Sequence, residues 1–115
     1  MSVENKLFIY GTLIPGEVNA HLLAPLKGSY VKASIKGSIH IVQSKLHHGL
    51  RGLFYEPFNE TRVNGYLFES DDLPNFWHEL DEFEGDEFPR IEVNVTLEDG
   101  AQVDCYAYIY SPHNE

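Results

Sequence analysis

Ile91, Val93, Val95 and Leu97 alternate with polar residues, and after Asp99-Gly100 the apolar pattern resumes from Val103 to Tyr110. Successive side chains of a strand point to opposite faces, so this stretch predicts a half-buried strand, a tight turn and an antiparallel partner. The rest of the chain is punctuated in the same manner. Leu7-Phe8-Ile9-Tyr10, closed by Gly11, is a short continuous apolar run and reads as a buried strand. Val31, Ala33 and Ile35, then Gly37, Ile39 and Ile41, predict two strands or one strand bent at Lys36-Gly37. The Gly-rich stretch from His47 to Phe58 reads as loop plus a short strand, and Val63 to Ser70 as a strand. Two helices are expected. The first spans Glu17 to Leu26, with Val18, Leu22 and Leu26 on one stripe and Pro25 ending it. The second starts at Asp71-Asp72-Leu73-Pro74, which offers capping carboxylates and a first-turn proline, and stops at Gly85. About six strands and two helices make an α+β domain with a mostly antiparallel sheet, either open or closed into a barrel.

Composition narrows the partners. The chain has 115 residues, and 8 Lys+Arg against 18 Asp+Glu leave a net charge of −10. That length predicts one domain over residues 1–115. Such acidity argues against nucleic acid, which needs a basic stripe to displace counterions, and against an anionic membrane surface. The single cysteine, Cys105, excludes an internal disulfide framework and a multi-cysteine metal knuckle. Met1 to Lys6 is polar and precedes only four apolar residues, and no apolar run has the length of a membrane helix. The expectation is a cytoplasmic protein that meets small molecules or other proteins, with no cofactor.

One acid breaks the pattern of the second helix. At about 100° per residue, Leu73, Phe76, Trp77, Leu80 and Phe83 share an arc, while Glu79, Asp81 and Glu82 fall at or beyond its edges. Glu84 falls inside it. A buried carboxylate is costly unless paired or protonated, and the last turn of a helix adds the negative end of the helix dipole. Both effects push the pKa of Glu84 toward the range of a proton acceptor near neutrality. The alternative is that the helix frays at Phe83 and leaves Glu84 in water. The turn after the first strand, Tyr10-Gly11-Thr12-Leu13, offers consecutive backbone N–H groups that can hold a carboxylate or an oxyanion. An ordinary strand–loop–helix connection has the same composition. There is no phosphate-loop lysine and no Gly-x-Gly-x-x-Gly, so nucleotide binding is not indicated.

Four segments in order carry a resemblance: Tyr10-Gly11-Thr12-Leu13, Leu80-Asp81-Glu82-Phe83-Glu84-Gly85, Phe88-Pro89-Arg90 and Ala107-Tyr108-Ile109-Tyr110. Together they resemble the γ-glutamylcyclotransferase-like family, most closely its small bacterial members and the γ-glutamylamine cyclotransferases. The resemblance implies a small mixed, mostly antiparallel β-barrel flanked by short helices, with a pocket between the first loop and the acidic helix. It implies a transferase-type enzyme that releases 5-oxoproline from a γ-glutamyl amine or peptide. On that reading Glu84 is the general acid and base, and the Tyr10, Gly11, Thr12 and Leu13 loop binds the substrate. The chain departs from many relatives in having Phe88 where they have Tyr, and Tyr108 where Trp is usual.

Other residues have two readings each. Arg90 either pairs with a substrate carboxylate or begins its strand exposed. Tyr110 either lines the pocket or packs with Tyr106 and Tyr108, which share its strand face. His40, His47 and His48 lack the spacing of a metal site, and Cys105 reads as a small buried hydrophobe. Two functions from different classes follow: a Glu84-dependent cyclotransferase, or a non-catalytic module holding a small acidic ligand or peptide end in the same pocket.

Overall fold

The computed structural model describes residues 3–10, 22–42, 50–56, 58, 60–85 and 88–110. Among them are six strands and one α-helix: β1 (Lys6–Ile9), β2 (Ser29–Val42), β3 (Leu50–Tyr55), β4 (Arg62–Glu69), α1 (Trp77–Glu84), β5 (Arg90–Leu97) and β6 (Gln102–Tyr108). The strand order is β3-β2-β4-β1-β6-β5, and β2 pairs with β5 as well. Strands β2, β4, β1, β6 and β5 therefore close into a five-stranded barrel, with β3 attached to β2 outside the closure. The pairings are antiparallel except that between β1 and β6, which is parallel. This is the α+β barrel that the resemblance implies, whereas the strand pattern alone is compatible with an open sheet as well.

The stretch around Lys36-Gly37 is one long strand that changes partner. Ser29 to Lys36 pairs with β4, and Gly37 to Val42 pairs with β3. Gly37 has φ 155°, and a Cβ at this position would run into the carbonyl oxygen of Phe54. Glycine thus allows the sheet to split here without a clash. Closure happens just upstream, where Ser34 lies between Asn64 of β4 and Thr96 of β5. The Arg62 guanidinium spans the seam, donating from Nε to Ser34 Oγ at 2.8 Å and from Nη2 to Thr96 Oγ1 at 2.7 Å. The β5–β6 hairpin forms as its sequence predicts. Gly100 takes φ 94°, and Leu97 N–H donates to the Ala101 carbonyl at 2.7 Å.

Strand alternation sorts the apolar residues into two layers. Phe8, Ala33, Ile35, Val63, Leu67, Val93, Val95, Cys105 and Ala107 fill the barrel, where small residues suit a closure of only five strands. Leu7 and Ile9 of β1, Phe68 of β4 and Tyr108 of β6 face the opposite way. Against that outer layer pack Leu23, Leu73, Phe88, and Trp77 and Leu80 of α1. Cys105 is fully buried, as its alternation predicts.

The second helix is shorter than expected. Leu73–Asn75 is a 3-10 turn, and α1 begins only after Phe76, whose φ of −119° interrupts the helix. The register change matters for Phe83, which the helical wheel puts on the apolar arc and the structure leaves 43% exposed. The expected capping carboxylates do other work: Asp72 Oδ2 accepts from Lys27 N–H, and Asp71 Oδ1 accepts from Asn5 Nδ2. Half of the predicted first helix, residues 17–21, lies outside the described residues. Leu22 and Leu26 at its end pack against the outer layer. No helix among the described residues is long and apolar enough to cross a membrane.

Candidate active site

The parallel pairing of β1 with β6 brings the C-terminal ends of both strands to the same end of the barrel. Antiparallel β5 starts there too, since Arg90 pairs with Tyr108. Helix α1 lies on the outer layer through Trp77 and Leu80, and its last turn reaches this end. Four elements therefore converge, contributing Tyr10, Asp81, Glu84, Arg90, Tyr108 and Tyr110.

Gly85 ends α1 with φ 83°, where its N–H donates to the Asp81 carbonyl at 3.0 Å. A positive φ is inexpensive only for glycine, so the stop predicted at Gly85 is met. The stop leaves Glu84 as the last helical residue, and its side chain is partly buried rather than turned fully into water. Burial, the larger influence, and the neighbouring Asp81 carboxylate raise its pKa to about 7. Tyr10, at the end of β1, lies within the electrostatic reach of Glu84. Its phenol is held well above the ordinary range, by burial first and by the Glu84 charge second. The Tyr10 hydroxyl donates to the Tyr108 carbonyl at 2.7 Å and so ties the two parallel strand ends together.

The Arg90 guanidinium meets Asp81 side-on, with Nε 3.0 Å from Oδ1 and Nη2 3.2 Å from Oδ2. The carbon of the guanidinium also lies 4.3 Å from the Trp77 ring centroid and 4.6 Å from that of Tyr106. The Tyr108 hydroxyl adds a third donor to Asp81, at 2.6 Å from Oδ1. Burial, followed by that hydrogen bond and the Asp81 charge, raises the pKa of Tyr108, so its phenol is neutral at physiological pH. Tyr110 is partly buried, its ring centroid 5.4 Å from that of Phe88 and 5.5 Å from that of Phe54. Its N–H donates to the Leu53 carbonyl.

Gly11, Thr12 and Leu13 lie outside the described residues, as do His47 and His48, and of His40 only the backbone is described. A surface pocket of about 560 Å³ lies elsewhere, lined by Lys32, Ser34, Asn64, Tyr66, Thr96 and Glu98. Sequence reasoning missed Asp81, which the helical wheel put at the edge of the apolar arc among solvated acids. The signal for it was in the hairpin: counting back from the Asp99-Gly100 turn sets Arg90 opposite Tyr108, and both meet Asp81.

A small closed barrel with a raised-pKa carboxylate at the end of its one described helix has relatives of known structure. Residues 7–115 match the family model described as gamma-glutamyl cyclotransferase, AIG2-like, and the chain belongs to that family. The YkqA protein of Bacillus subtilis is 28% identical with a TM-score of 0.71; the match covers 92% of this chain but 35% of that one. The present chain therefore spans about a third of YkqA. An AIG2-like protein of Mus musculus superposes with a TM-score of 0.73 at 22% identity, covering 96% of this chain and 79% of that one. A protein described as gamma-glutamyl cyclotransferase gives a TM-score of 0.63 at 18% identity, over 95% and 68% of the two chains. At such identities these last two likenesses speak for the fold. No curated protein matches the chain.

Proposed function

We propose that this protein is a γ-glutamyl cyclotransferase that releases 5-oxoproline from a small γ-glutamyl amine or peptide, with Glu84 as its general acid and base. The observation that carries this reading is the Glu84 carboxylate, partly buried at the end of α1 with its pKa raised to about 7. A group of that affinity can accept a proton and give it back near neutral pH.

The reaction asks little else of the protein. The α-amino nitrogen of the substrate attacks its own γ-carbonyl carbon, forming the ring C–N bond while the bond to the amine leaving group breaks. No enzymic nucleophile is needed, because both reacting groups belong to one molecule. The α-ammonium loses two protons on the way to the lactam N–H. One passes to solvent as the free amine forms, and Glu84 takes the other from the attacking nitrogen and delivers it to the departing nitrogen, which leaves as a neutral amine. The carbonyl oxygen gains negative charge on the way. Backbone N–H groups of Gly11, Thr12 and Leu13, which directly follow Tyr10, are assigned to hold that oxygen or the substrate carboxylate. Tyr10 and Tyr110 are assigned to the pocket wall. Arg90, whose Nε and Nη2 engage the Asp81 carboxylate, is assigned with them to the substrate site.

The test is incubation of the full chain with a panel of γ-glutamyl dipeptides and γ-glutamylamines, following 5-oxoproline by chromatography. Release from at least one member is expected. No release from any member, with saturable binding of one of them, would replace the enzyme by a binding module on the same fold.

A further inference from the structure

Asp81 and Glu84 stand three residues apart on α1, so their side chains are neighbours on one helix face, about 5–6 Å apart at Cβ. Two like charges at that spacing oppose each other, and a flexible aspartate would swing away. Asp81 is not free to do so. Arg90 of β5 grips both of its oxygens and Tyr108 of β6 donates to one of them. Arg90 itself lies against the Trp77 and Tyr106 rings, which meet edge to face with centroids 5.5 Å apart. Three elements are thus spent on holding one carboxylate still, in the place where it repels the next.

We propose that Asp81 is a positioning residue for Glu84: pinned by Arg90 and Tyr108, it acts through its fixed charge and sets the pH at which Glu84 exchanges its proton. This inference rests on the role of Glu84 proposed above and deepens it. The other ionisable groups that face Glu84 among the described residues are Tyr10 from β1 and Tyr108 from β6, with Arg90 from β5 reaching it through Asp81. Burial keeps both phenols protonated and neutral. Among the described residues Asp81 is then the group whose charge raises the Glu84 pKa, second to burial. Arg90 pairs with Asp81 rather than with Glu84, so the cation anchors the repelling charge and offsets only part of its effect at the neighbour.

Titration of the Glu84 side-chain carbon by NMR, in the full unliganded chain, separates this inference from the assignment of function because it needs no turnover. In Asp81→Asn the Glu84 midpoint should fall by about half to one pH unit, the size expected of a single charge near a protein surface. In Asp81→Glu, which keeps the charge, it should stay near the wild-type value. An unchanged midpoint in Asp81→Asn would overturn the proposal, as would an equal fall in both variants, which would assign the effect to packing. Where Asp81→Asn does not fold, the wild type decides. Raising salt from about 0.05 to 1 M should lower its midpoint by screening the pair, and a midpoint indifferent to salt would overturn the proposal. Wherever the substrate panel gives turnover, the acid limb of kcat/KM against pH should move with the NMR midpoint. A fall in the midpoint without any turnover would leave Asp81 in place and remove the cyclotransferase.

Discussion

A carboxylate with a folded-state pKa near 7 carries a stability signature of its own. Below about pH 4.5, Glu84 is protonated in both the folded and unfolded chain and the raised pKa has no effect on the balance. Between that value and about 7 the folded state binds more protons than the unfolded one, so unfolding becomes easier as pH rises. Above about 7 the full cost of the buried anion is present, at most about 3 kcal/mol for a shift of this size. Glu84→Gln should therefore be more stable than the wild type at about pH 8, by ~1–3 kcal/mol in urea unfolding, with the difference vanishing near pH 4. A variant less stable than the wild type at both pH values would mean that Glu84 is held by attractive partners. Glu84 was legible in the sequence because helical periodicity tests one residue against its own neighbours. Asp81 was not, because its partners Arg90 and Tyr108 come from two strands that periodicity cannot place beside a helix.

At the scale of the element, α1 owes its end to Gly85. That position takes φ 83°, where an L side chain is strained. Gly85→Ala should lower stability by about 1–2 kcal/mol in thermal unfolding, and should also move the Glu84 NMR midpoint, since the last turn cannot hold its geometry. A fully stable Gly85→Ala with the wild-type midpoint would contradict the positive φ. The stop was readable from glycine alone. The start was not: Asp71 and Asp72 look like caps, yet tertiary partners at Lys27 and Asn5 claim their carboxylates. With Leu73–Asn75 in a 3-10 turn, the helix restarts at Trp77 and the wheel drawn from Leu73 slips. Trp77 and Leu80 remain buried, Phe83 emerges, and Glu84 keeps its partly buried place.

Across the whole molecule, the strands were legible but their closure was not. Each strand announces itself by alternation or by an apolar run. That β2 uses both edges, pairing β4 on one side and β5 on the other, depends on the global twist and on a seam sewn by Arg62. The closed interior predicts the behaviour of Cys105. Its thiol is fully buried, and burial pushes its pKa up to about 12. A thiol reagent at about pH 8 should leave the native protein unlabelled and react fully once denaturant opens the barrel. Rapid stoichiometric labelling of the native chain would mean that the barrel is open. The same closure sets the parallel ends of β1 and β6 side by side and carries Glu84 to them. The most direct measurement of the central claim is 5-oxoproline release by folded Glu84→Gln beside the wild type, on whichever panel substrate turns over. The proposed role predicts a loss of kcat on the order of a thousandfold; equal turnover by the two proteins would contradict it.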